Sequence, residues 1–159
     1  ANSTILRFAL ADHGLRGVIG REGIETGQFH SPTHVAVSRA GDIYVTDSLN
    51  FRVQVFTAHG AFVRSFGAPG DSPGFFSRPK GVALDSDGNT YVVDALFDNV
   101  QIFDPEGRLL LSFGSAGREM GEFWLPSGIF IDRHDLIYVS DSYNNRVQIF
   151  RYLKNAEVQ

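Results

Sequence analysis

An all-β fold built from repeated four-stranded blades is predicted by three observations. One stretch of sequence recurs at an offset of 47 residues, as in Pro32, Pro79 and Pro126. Each copy divides into short runs of β-branched and aromatic residues, bounded by Gly, Asp, Asn and Pro. No stretch inside a copy carries the 3.6-residue period of an amphipathic helix.

The copies read "PTHVAVSRAGDIYVTDSLNFRVQVF" (32–56), "PKGVALDSDGNTYVVDALFDNVQIF" (79–103) and "PSGIFIDRHDLIYVSDSYNNRVQIF" (126–150). Gly27, Gly74 and Gly121 keep the same spacing, as do Phe29, Phe76 and Phe123, and Asp47, Asp94 and Asp141. A period of this length signals a solenoid, propeller or array. The first strand of each unit is expected at 35–37, 82–84 and 129–131, and the second at 43–46, 90–93 and 137–140. The third is expected at 52–56, 100–103 and 146–150, and the fourth at 62–66 and 109–113. The first strands are apolar on successive residues, so both of their faces are expected to be buried. Four antiparallel strands per unit, stacked face to face, make a β-propeller blade.

The pattern G-x-F-x-x-P-x-G-V-A-L-D, then G-N-x-Y-V-x-D, then N-x-R-V-Q-V-F, resembles the NHL repeat family and covers nearly the whole chain. The resemblance implies a ring of six blades. His34 departs from the pattern where Gly81 and Gly128 stand, Ser38 departs where Asp85 and Asp132 stand, and the second unit has Phe97 and Asn99 for Asn and Arg.

The ends fix the expected blade count. Residues 2–8 align with 50–56, and 14–20 with the end of the first unit. The expected division is therefore 1–20 as the last two strands of an incomplete blade, 21–67, 68–114 and 115–150 as three blades, the last lacking its fourth strand, and 151–159 as a polar tail. About three and a half blades fall short of the usual closed ring of four to eight. Two apolar blade faces are then expected to need cover. A longer chain, a second polypeptide or a two-fold homodimer would each supply it. An extra strand at 4–8 would duplicate 146–150, which weighs against the simple homodimer swap.

The hydrophobic share is 43%, the charged share 20% and the formal net charge −4, with a pI near 5.7. This disfavours nucleic-acid and anionic-membrane surfaces, and no apolar run reaches the length of a membrane helix. The three long loops (20–33, 67–80, 114–127) carry four cations against five anions, so they do not form a phosphate-binding surface. With no cysteine there is no disulfide, thiolate nucleophile or Cys-ligated zinc. Residues 1–14 lack the basic start and apolar block of a signal peptide, although a leader already removed would leave no trace. The resemblance suggests a bacterial, extracytoplasmic setting.

In a meander the long loops share one end of the propeller with the loops joining strands two and three. That end is the expected binding surface. Positions alike in all copies are expected to serve the blade, and positions that differ are free to serve a ligand. Asp47, Asp94 and Asp141 are expected to bind their own loops, and Gln54, Gln101 and Gln148 to staple backbone. Trp124 stands where its sisters are His30 and Ser77, Phe51 where they are Asp98 and Asn145, and Phe97 where they are Asn50 and Asn144. With Tyr143, these aromatics are the expected partner-binding residues. Thr33, Lys80 and Ser127 are expected at the channel mouth beside His34. His34 is the one candidate metal ligand, and it has no companion histidine at an equivalent position. No G-x-S-x-G, H-E-x-x-H or Walker motif is present. The expected function is a non-catalytic scaffold that binds a protein partner and needs no cofactor. The alternative, implied by relatives of this fold, is a lyase or hydrolase with metal at the central channel.

Overall fold

Short β-rich runs joined by Gly-, Asp- and Asn-bearing turns favour antiparallel neighbours over crossovers. The computed structural model describes residues 3–152. Strands β1 (Ile5–Phe8) and β2 (Leu15–Ile19) form a two-stranded sheet. A four-stranded sheet follows, from β3 (Pro32–Val37), β4 (Ile43–Asp47), β5 (Arg52–Phe56) and β6 (Phe62–Phe66). The next is β7 (Pro79–Leu84), β8 (Thr90–Asp94), β9 (Asn99–Phe103) and β10 (Leu109–Phe113). Strands β11 (Gly128–Ile131), β12 (Leu136–Asp141) and β13 (Arg146–Arg151) make a three-stranded sheet. All pairings are antiparallel, in chain order. Single 3-10 turns, Ser48–Asn50 and Ser142–Asn144, close two of the loops between second and third strands. Of the expected tail, 153–159 lies outside the described residues.

The sheets stack as propeller blades, and the core lies between them. Tyr44, Val53, Val55 and Phe66 of one four-stranded sheet meet Val82, Val92 and Phe103 of the next and Phe76 of the loop leading into it. Tyr91, Val93, Val100 and Ile102 then meet Phe123, Ile137 and Val139. Ile19 packs with Phe29, Ile43, Val45 and Phe56 at the first boundary. Tilted phenylalanine pairs recur, with ring centroids 5.6 Å apart for Phe29–Phe56 and Phe76–Phe103 and 5.7 Å for Phe123–Phe150. Each such pair adds stabilisation beyond its buried area.

The innermost strands β3, β7 and β11 lie side by side around the axis. Gly81 permits this approach, because a Cβ there would stand 2.9 Å from the backbone nitrogen of Ile129. Gly67 has a different task. It ends β6 at φ +90°, and a Cβ would run into the ring of Phe76, which seals the following loop.

Burial of both faces of the first strand holds for β7 but not for its neighbours. Val35 and Val37 of β3 are exposed, as is Phe130 of β11. The reason is the packing partner. The sheet preceding β3 has two strands among the described residues, and they cover the outer part of the next sheet. Among the described residues the far side of β11 to β13 faces no sheet, so Phe130, Val147 and Ile149 are about 60% exposed. On the outer side of β1 and β2, Leu6 pairs with Val18 and Phe8 with Leu15, and all four are exposed. Among the described residues no helix is long and apolar enough to cross a membrane.

Candidate functional site

Each long loop is fastened to its own blade from below. Phe29, Phe76 and Phe123 are fully buried and bridge back to Glu22, Pro69 and Ala116. Gln54 Oε1 accepts the Gly27 N–H at 2.9 Å, and its Nε2 donates to the Gln28 carbonyl at 2.7 Å. Gln101 and Gln148 repeat this with Gly74 and Phe75, and with Gly121 and Glu122. These side-chain amides serve as backbone staples.

The repeated aspartates are saturated in the same way. Asp141 Oδ1 accepts the Trp124 N–H at 2.8 Å, while Oδ2 receives Asn144 at 2.9 Å and Arg146 Nε at 2.8 Å. Asp47 does the same for His30, Asn50 and Arg52. In the middle blade Asn99 replaces the arginine, and Asp94 turns to backbone, accepting N–H groups from Ser77, Arg78, Leu96 and Phe97. Burial opposes ionisation of Asp141, but the Trp124 N–H, Asn144 and Arg146 outweigh it and hold its carboxyl below the usual aspartate value.

The long loops meet the loops between second and third strands at one end. Leu49 N–H donates to the His30 carbonyl, Ala95 to Arg78 and Tyr143 to Trp124. This end carries Trp124, Phe51 and Phe97, whose counterparts in the other copies are polar. Trp124 is 39% exposed and Tyr143 60%, with their rings 5.6 Å apart. The guanidinium of Arg118 lies 4.8 Å above the Trp124 ring. A concavity of about 420 Å³ opens beside these three side chains, with Asn145 and Arg146 on its wall. A second one, of about 410 Å³, is bordered by Trp124 and Arg118 together with Asp98, Ala116 and Gly117.

The other expected aromatics lie apart from the Trp124–Tyr143 pair. Phe51, in the left-handed conformation at φ +55°, is half-buried and packs against the core between the two four-stranded sheets. Phe97 is half-buried, with its N–H on Asp94. At the channel mouth Thr33 Oγ1 donates to the Lys80 carbonyl at 3.2 Å, joining two blades. Ser127 instead shares a 2.6 Å hydrogen bond with Ser142, in the 3-10 turn that follows β12. Partial burial first, and the charge of Lys80 second, hold the His34 imidazole below the usual histidine pKa. Among the described residues no three His, Asp or Glu side chains converge as a metal site.

Sequence reasoning missed Arg118 as a member of the site. The signal was available, because Arg118 occupies the repeat position of Ile24 and Asp71. It also missed Asp98, whose Oδ1 accepts the Leu125 N–H at 2.7 Å and so steadies the tryptophan loop from the neighbouring blade.

The NHL repeat profile matches residues 29–56 and 123–150. The Protein brain tumor of Drosophila melanogaster is 43% identical over 51 residues, 32% of this chain and 5% of that protein. The B-box type zinc finger protein ncl-1 of Caenorhabditis elegans is 49% identical over 43 residues, 27% of this chain and 5% of that protein. Among solved structures, an auxiliary nutrient binding protein from Bacteroides thetaiotaomicron superposes with a TM-score of 0.68 at 13% identity, over 93% of this chain and 42% of that one. A catalytically inactive virginiamycin B lyase from Staphylococcus aureus gives 0.65 at 13% identity, over 98% of this chain and 50% of that one. Likeness at this identity shows the fold alone. The chain spans half or less of these solved structures and a small fraction of the relatives matched in sequence. The matched segments are NHL repeats, and the stacked four-stranded sheets that carry them have a β-propeller fold.

Proposed function

We propose that the chain is a rigid, non-catalytic scaffold that binds a protein partner through the long-loop end. The observation that carries this reading is the exposed Trp124–Tyr143 pair, in which the Trp124 loop has its backbone held from two blades. Exposed aromatics on a pre-organised surface are the usual anchors of protein interfaces. Support for a channel-centred metal enzyme is confined to His34, because Gly81 and Gly128 stand at the equivalent positions. The test compares retention of the partner that co-purifies with the chain by two variants, Trp124→Ala and Arg108→Ala. Arg108 sits in the turn between β9 and β10 at the opposite end, paired with Asp104. Loss with Trp124→Ala alone supports the reading, and loss with Arg108→Ala alone refutes it.

The two apolar sheet faces support a second interaction, in which further blades cover them. Tyr138, Val147 and Ile149 occupy the repeat positions of Tyr44, Val53 and Val55, which are buried against the following sheet. The rest of a longer chain or a second chain is favoured over a homodimer as the source of these blades, since β1 repeats the position of β13 and crowds a simple two-fold ring.

A further inference from the structure

We infer that the Arg118–Trp124–Tyr143 surface takes an acidic peptide segment, with a carboxylate on Arg118 and a neighbouring proline or aromatic ring against Trp124 and Tyr143. This rests on the protein-binding reading above and names the chemistry of the partner.

The guanidinium of Arg118 stacks on the indole and makes no ion pair or hydrogen bond among the described residues, whereas Arg52, Arg108 and Arg146 are each paired with a carboxylate. A guanidinium held by its face keeps its N–H edge free for a planar, bidentate acceptor. The nearby acids do not fill that role. Glu122 Oε2 accepts the Glu119 N–H at 2.9 Å, Asp98 accepts Leu125, and Asp141 is saturated from within its blade. The surface therefore presents one uncompensated cation beside two exposed rings.

Concavities of about 420 and 410 Å³ both border Trp124 and Arg118, one reaching to Tyr143 and the other to Asp98, so neighbouring side chains of a peptide have two places to enter. Asn145, exposed at φ +53°, borders the first of them and offers an amide to a peptide backbone. A single-stranded nucleic acid would also stack on aromatics. It needs a track of cations along its phosphates, however, and this end carries more anions than cations. One carboxylate needs one arginine.

The test pans a random peptide display library on the intact chain, then titrates enriched peptides by the fluorescence of Trp124, the single tryptophan. Enriched peptides are expected to carry Asp or Glu next to Pro or an aromatic residue. Replacing that acid by its amide, or Arg118 by Gln, is expected to weaken binding about tenfold, and the two changes together no more than either alone. The acid-to-amide change is made in the peptide and leaves the fold untouched. Trp124-dependent peptides that lack an acid, or that bind the Arg118→Gln variant equally well, overturn the acidic-peptide inference and leave protein binding standing. Selection of no Trp124-dependent peptide, or tighter binding by an oligouridylate, overturns the protein-binding reading as well.

Discussion

Asp98 accepts a 2.7 Å hydrogen bond from the backbone N–H of Leu125, 27 residues along the chain and one blade over. Trp124 is thereby held between two carboxylates, its own N–H on Asp141 and the next N–H on Asp98. Removing the outer tie with Asp98→Ala should cost about 1 kcal/mol of stability and loosen the indole. Faster amide exchange at Leu125 and lower fluorescence anisotropy would show it; unchanged exchange would mean that Asp141 alone sets the loop.

Trp124→Ala should separate binding from folding. The ring is partly exposed and touches Arg118 and Tyr143, so its loss should cost the fold about 1 kcal/mol or less. Partner affinity should fall by about 2 kcal/mol or more. Urea unfolding and a binding titration on the same preparation give both numbers.

Tyr91 and Phe103 are buried between sheets, at 2% and 1% exposure. Replacing either with Ala should destabilise by about 3–5 kcal/mol through lost burial and the cavity left behind. A loss under about 1 kcal/mol at both positions in chemical unfolding would contradict the packing described.

Stability should fall at acid pH. The Asp141 carboxyl is held below its ordinary value in the folded chain, and that of Asp132 likewise, chiefly by the Leu136 N–H. A carboxylate with a depressed folded pKa contributes fully above its unfolded pKa of about 3.9 and loses that contribution as pH falls through the folded value. The urea midpoint should therefore hold near neutrality and drop below about pH 4. Asp141→Asn should lower stability at neutral pH and flatten the acid drop.

The uncovered side of the three-stranded sheet should drive association. Val147 and Ile149 stand side by side with Tyr138 there, and a soluble monomer rarely exposes such a face. Sedimentation at micromolar concentration should show a dimer or a complex with another chain. Val147→Lys with Ile149→Lys should release a 17.5 kDa species. A compact monomer before the change would show that the face needs no cover.

The strands were legible because each is a short β-branched or aromatic run cut off by a turn, and three copies in register removed the ambiguity of any one. Exposure was less legible. Val35 and Val82 are equivalent in sequence, yet one is exposed and the other buried, because what covers a strand belongs to the neighbouring sheet. The candidate site was partly legible. Trp124 announced itself by departing from His30 and Ser77. Arg118 departed too but reads as one more surface charge until the loop folds it over the indole. Phe51 carried the same signal as Trp124 and packs, half-buried, against the core, since a departure in sequence does not say which way a ring turns.

The glutamine staples have a consequence for how such a chain can change. Gln54, Gln101 and Gln148 each clamp a glycine 27 residues upstream, within the same repeat. A duplication that copies 47 residues copies the clamp with them, so a newly inserted cassette arrives with its loop already moored. Exposed loop positions can then drift toward new ligands without unfastening the cassette. Recombining loops between repeats, or grafting the tryptophan-bearing loop onto another cassette, is a change this architecture is prepared to absorb.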